Sequence, residues 1–171
     1  MSRNSSSRKL DPLMSSKKKK IAKRVGLVVL VGFAGLQFYR PARNDAPPGP
    51  DDLFALHPAG SEVERLIRSS CYDCHSNRTN YPWYAQIQPA AGWLAQHIRE
   101  GKRQLNFSDF GAYSEHRQAE KLLAVADEIH GRTMPLESYT WVHRNARLDA
   151  AQVEILVNWA EELAEKIDSE Y

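Results

Sequence analysis

Cys71-Tyr72-Asp73-Cys74-His75 is the stretch on which the reading of this chain turns. Two thiols separated by two residues and followed at once by histidine form the C-x-x-C-H pattern of covalent c-type haem attachment. On a short helical turn the two sulfurs sit a porphyrin edge apart, so each can add to one vinyl group. The histidine that follows is then placed to supply the proximal nitrogen ligand to iron. Cys71 and Cys74 are the only cysteines in the chain, which leaves none for a structural disulfide or a nucleophile. A zinc site would need a second C-x-x-C or an H-x3-5-H pair at usable spacing, and no such partner follows. A thioredoxin-like redox pair would stand at the end of a strand, and no strand-like alternation surrounds this one.

Working outward, residues Cys71 to Trp83 read CYDCHSNRTNYPW. This run resembles the start of the haem-binding domain family of small bacterial c-type cytochromes, and C-x-x-C-H-S-N-x-T-x-Y-P-W is its most specific part. The later Met134-Pro135 and the final amphipathic helix fit the same family, so that the resemblance covers about Leu53 to Leu163. It implies a cytochrome c-like domain with one haem, exposed outside the cytoplasm, and it names no redox partner.

The charge of the chain is strongly asymmetric. Residues 1–40 carry ten Lys/Arg against one acid, Asp11, and residues 41–171 carry thirteen Lys/Arg against twenty Asp/Glu. A basic head on an acidic body is a topological clue and not a nucleic-acid footprint, because the basic residues lie off the folded part. Met1–Ser16 is poor in apolar residues and reads as disordered. Lys17–Lys20, Lys23 and Arg24 then precede an apolar run from Val25 to Tyr39. Counted from Ile21 with Lys23 and Arg24 snorkelling, a helix here would reach ~28 Å against a hydrocarbon core of ~30 Å. The expectation is an uncleaved signal anchor over 21–40, with 1–20 cytoplasmic and everything after Arg40 across the inner membrane in the periplasm. A cleaved signal peptide competes, although Phe38-Tyr39-Arg40-Pro41 is an awkward site for a signal peptidase. Residues 41–52, PARNDAPPGPDD, read as a Pro/Gly linker, and 53–171 as the folded domain.

Within that domain the patterns are helical. Ser61 and Glu64 form a capping box ahead of Val63, Leu66 and Ile67, and the helix delivers Cys71. Pro89–Arg103 is a second helix, with Trp93, Leu94, His97 and Ile98 on one side. Leu105–Tyr113 reads as a loop whose Phe107 and Phe110 fold onto the core. Ser114–His130 is a third helix closed by Gly131. A fourth starts at the N-cap Asp149, with Gln152 completing a second capping box, and carries Val153, Leu156, Trp159, Ala160, Leu163 and Ile167. No repeat and no convincing strand is found. The expected class is all-α: a cytochrome c-like helical domain around one covalent haem, preceded by a transmembrane helix.

The ligand opposite His75 sets what such a haem can do. Met134 lies 59 residues beyond His75 in a Thr-Met-Pro loop, where no helical stripe needs a filler, and it is favoured as the second axial ligand over a gap-filling role. Among the histidines, His130 is the strongest rival, with helix capping its plainer explanation. His57 is pinned by Pro58, His97 reads as a core histidine, and His116 and His143 read as surface residues. Trp83, Tyr84, Trp93 and Trp141 are candidates for the pocket wall. Arg78, Arg99 and Arg144 are candidate propionate partners, with plain surface exposure as the default. The functional expectation is a membrane-anchored electron carrier, not an enzyme, that binds haem c through Cys71, Cys74, His75 and Met134. Its partners would be redox proteins in or near the membrane, with no small-molecule substrate. A haem enzyme or sensor with an open distal position, and a haem relay subunit of a larger complex, are the alternatives.

Overall fold

The computed structural model describes residues 12–169. Eight α-helices run in the order α1 (Pro12–Leu36), α2 (Leu53–Leu56), α3 (Ser61–Ser70), α4 (Tyr72–His75), α5 (Ala90–Gln104), α6 (Glu115–His130), α7 (Glu137–Val142) and α8 (Ala150–Ser169). Short 3-10 turns stand at Trp83–Gln86, Phe107–Ala112 and Arg144–Ala146. Among the described residues there is no strand, only an isolated bridge between Asp45 and Arg78. The all-α expectation for the folded part holds.

The expected membrane anchor does not. No helix among the described residues is long and apolar enough to cross a membrane. The reading of 21–40 assumed that the helix continued through Tyr39. Instead α1 ends at Leu36, where Gln37, Phe38 and Tyr39 donate backbone hydrogen bonds three residues back to Ala34, Gly35 and Leu36. The apolar part that stays helical, Val25 to Leu36, reaches only ~18 Å against a core of ~30 Å. The other half of α1 is occupied by Lys17–Lys20, Lys23 and Arg24. A single-pass inner-membrane topology with a periplasmic domain is therefore not supported. The disordered reading of Met1–Ser16 lies outside the described residues up to Asp11, and from Pro12 the chain is helical.

α1 is tied to the domain at its end. Gln37 and Gln88 exchange hydrogen bonds, Gln88 N to Gln37 Oε1 at 3.0 Å and Gln37 Nε2 to Gln88 O at 3.3 Å, and Gln88 Nε2 donates to Tyr39 O at 2.9 Å. The Pro/Gly stretch that composition reads as a spacer is also laid down on the domain. Ala46 N donates to Asn77 O and Thr79 N to Asn44 O. The Asn44 amide bridges Ser76 O and Thr79 Oγ1.

The core lies between α3, α6 and α8. α6 and α8 pack along their lengths, because Leu122, Ala126 and Ile129 on one and Val153, Leu156, Ala160, Ala164 and Ile167 on the other recur at helical spacing and are buried. α3 sets Leu66 and Ile67 against α8. Asp149 and Gln152 form the expected capping box, each accepting the other's backbone N–H at 3.0 and 2.8 Å. The box expected at Ser61 is absent: Gly60 is the N-cap and no side chain caps α3. Ser61 already has helical geometry, which takes it out of the position from which a hydroxyl can cap. The stop of α6 also differs from expectation. Gly131 is right-handed at φ −70, and Arg132 takes the left-handed position at φ 59. Thr133 N to Glu128 O and Arg132 N to Ile129 O complete the two hydrogen bonds of a Schellman ending. Arg132 Nη1 then donates to Leu148 O at 3.0 Å, a tether that offsets the cost of a non-glycine residue in that region.

Candidate functional site

The turn Cys71–His75 is built into the core by its own middle residues. Tyr72 is 8 % exposed and lies between two rings, parallel to Phe54 at 5.9 Å and to Phe107 at 5.2 Å. Its hydroxyl donates to the buried Asp52 carboxylate at 3.1 Å, and Asp52 also accepts Phe54 N. The Arg68 guanidinium covers the Tyr72 ring at 4.7 Å and stands 3.8 Å from Asp52. Burial and the neighbouring carboxylate push the Tyr72 phenol well above its ordinary value, so it remains a hydrogen-bond donor. With the first intervening residue locked inward, the turn can present Cys71, Cys74 and His75 to the other side.

α5 closes tightly over this turn. A Cβ on Gly101 would fall 2.8 Å from the Cys74 carbonyl oxygen, so only glycine permits the approach. One turn further on, Leu105 O accepts a hydrogen bond from His75 Nδ1 at 3.1 Å. A carbonyl can only accept, so Nδ1 carries the proton and Nε2 keeps a free lone pair. Burial lowers the His75 pKa below its ordinary value, the backbone hydrogen bonds opposing it. The ring is held neutral, the form in which imidazole ligates a metal. Burial first and the neighbouring charge second push Cys71 up to about 12 and Cys74 up to about 11. Both are free thiols.

In front of these residues lies a row of cavities with shared walls. The first, about 250 Å3, is bounded by Cys71, His75, Leu105, Phe107, Val125 and Met134, with Lys121 and Glu128 also on its lining. The second, about 50 Å3, is lined by Cys71, Cys74, His75, His97, Met134 and Tyr139 among others. The third, about 240 Å3, continues past Cys74 between Tyr84, Trp93, Leu94, Leu136 and Val142. The lining is largely apolar, as a site for a large flat macrocycle requires. The donor set fits a haem: two free thiols, an imidazole with its outer nitrogen already committed, and a thioether beside the same space.

Residues 31–162 match the family of haem-binding domains. The chain belongs to the haem-binding domain family. The match begins inside α1 and ends in α8, so the family unit includes the 41–52 stretch that lies against Asn77–Thr79. Comparisons with curated proteins and with solved structures found no match.

The haem-binding domain brings Cys71, Cys74, His75 and Met134 to one cleft. His130 is exposed and lines none of the three cavities described. His97 is the further histidine on the cleft, with Nδ1 on Trp93 O at 3.0 Å. Tyr84 and Trp93 border the third cavity, while Trp83 and Trp141 are largely exposed. Arg78, Arg99 and Arg144 do not line the cleft; its cation is Lys121. Sequence reasoning missed Lys121, Asp73, Tyr139 and His143. Tyr139 donates to Asp73 Oδ2 at 2.7 Å and stacks on His143 at 4.2 Å, and His143 Nε2 is 3.0 Å from Tyr84 Oη. A polar residue within the C-x-x-C-H pattern is the one signal that pointed there.

Proposed function

We propose that this haem-binding domain holds one haem covalently through Cys71 and Cys74, with His75 and Met134 as axial ligands, and that it carries electrons. The observation that supports this reading is that Cys71, His75 and Met134 border the same two cavities, with His75 fixed from behind by Leu105 O. A bound haem supplies one-electron exchange at iron, and ligation on both faces leaves no open position for a substrate. The residues of the chain do the rest. Leu105 O holds the imidazole in one tautomer, Phe107, Val125 and Ile129 exclude water, and Lys121 offers a charge to an anionic substituent at the rim. The acidic balance of residues 41–171 favours encounter with a redox protein that presents a basic patch, an effect on association rate.

Haem retention and absorption spectra test the reading. Haem is expected to stay with the chain through denaturation and organic extraction, and to be released from the double variant Cys71→Ser/Cys74→Ser. The oxidised protein is expected to be low-spin with the weak long-wavelength band of a thioether ligand, lost in Met134→Ala. A low-spin spectrum unchanged by Met134→Ala would move the ligand to a histidine, with His97 as the one placed on the cleft. A high-spin spectrum that shifts with cyanide, carbon monoxide or peroxide would replace the carrier reading with that of an enzyme or sensor.

A further inference from the structure

The segment between α6 and α8 carries Met134, and its two ends are tied down, one to α6 and the other to α3. At the start, Thr133 N and Met134 N both donate to Glu128 O, and Arg132 reaches Leu148 O. At the finish, Ala146 is buried and its carbonyl accepts Ser70 Oγ at 3.3 Å. Between these ends lies α7. It meets the Cys71–His75 turn through one side-chain hydrogen bond, Tyr139 Oη to Asp73 Oδ2 at 2.7 Å.

Asp73 is itself immobilised. Its Oδ1 accepts Asn80 N at 2.9 Å and its backbone carbonyl accepts Thr79 Oγ1. Tyr139 is backed by His143, stacked at 10° between planes, and His143 in turn bonds the Tyr84 hydroxyl. Burial and the carboxylate hold the Tyr139 phenol protonated, so it donates a charge-assisted hydrogen bond, the stronger kind.

We propose that the Tyr139–Asp73 hydrogen bond is the latch that holds Met134 over the attachment turn, with His143 and Tyr84 as its backing. Tyr139 is a positioning residue: it lines the second cavity and reaches the ligand through the four residues that join them. The proposal rests on the reading of Met134 as an axial ligand. It gives Asp73, the second of the two residues between the cysteines, a role beyond the turn: the same turn that carries His75 also fixes the loop of the second ligand.

Imidazole added to the oxidised, haem-loaded protein competes with Met134, and its apparent affinity reports how readily the segment moves away. Tyr139→Phe removes the hydroxyl alone. We expect imidazole affinity to rise about tenfold, the equivalent of one charge-assisted hydrogen bond. Amides of residues 134–142 in the haem-free chain are expected to exchange faster by a similar factor. Asp73→Ala, which also frees Asn80 N, is expected to raise the affinity at least as much, and Tyr139→Phe to add nothing in that background, as for two halves of one contact. Ser70→Ala, which frees the distant end of the same segment, is expected to leave imidazole affinity unchanged. An unchanged affinity in Tyr139→Phe, or an equal rise in Ser70→Ala, overturns the latch while the ligand reading stands. An oxidised spectrum that Met134→Ala does not alter overturns the ligand reading and the proposal with it. The haem-free exchange rates would then show separately whether Tyr139 restrains the segment.

Discussion

The two sides of the domain are held by different forces. The α3, α6 and α8 side is a dry apolar core: Leu66, Ile67, Leu122, Ile129 and Leu156 are at most 2 % exposed. The cleft side, from α4 across to α7, is held by directional contacts: His75 to Leu105 O, Tyr139 to Asp73, His143 to Tyr84 and the close seat of Gly101. Apolar burial is non-directional and tolerates repacking, whereas a ligand set must be fixed in position, which is what hydrogen bonds to backbone and carboxylate achieve. The scaffold sets stability, and the cleft side sets geometry.

Substitutions on the two sides should break this comparison differently. Leu156→Ala, wholly buried in α8, is expected to lower stability by about 2–5 kcal/mol and to weaken both sides together, read by urea unfolding. Gly101→Ala is expected to cost about 1–3 kcal/mol, because the new methyl meets the Cys74 carbonyl and not a flexible side chain. Its distinguishing effect is local: faster amide exchange in α4 and α5, and impaired haem retention, with the α6 and α8 amides unchanged. If all helices loosen equally, the division into two sides fails.

Two smaller effects sharpen the chemistry of the haem-free cleft. Cys71 and Cys74 are pushed up to about 12 and about 11, so fewer thiolates exist at neutral pH. Alkylation at pH 8 is expected to be slower than in the unfolded chain by about a hundredfold, with full rate restored by denaturant. His75 has its pKa lowered by burial, so the unfolded chain binds the proton more tightly. Its contribution to stability is therefore complete above the unfolded value of ~6.5 and is lost as pH falls below it. Comparison of His75→Gln with the unaltered chain by urea unfolding at pH 7.5 and 5.5 checks this: the unaltered chain should lose more stability across that step. The smallest effect is expected at Trp83, which is 77 % exposed. Trp83→Ala should change stability by less than about 0.5 kcal/mol, and a larger loss would mean that this tryptophan belongs to the site.

Sequence alone determined the helical class and the haem-binding family, and it picked out Cys71, Cys74, His75 and Met134, which the fold brings to one cleft. These are local signals. A period of 3.6 marks which face of α6 or α8 is buried, and C-x-x-C-H carries its chemistry in five consecutive residues. Only the tertiary structure decided where the basic helix ends, because three turn hydrogen bonds at Leu36 stop an apolar run that composition continues to Tyr39. It also decided that Asn44 lies against Thr79, that His97 and not His130 reaches the cleft, and that Tyr139 lines it with His143 stacked behind. The reason is sequence separation. Asp73 and Tyr139 are 66 residues apart and Tyr84 and His143 are 59 apart. A tyrosine in a short helix and the histidine that caps it look like surface residues until the chain returns and gives them partners.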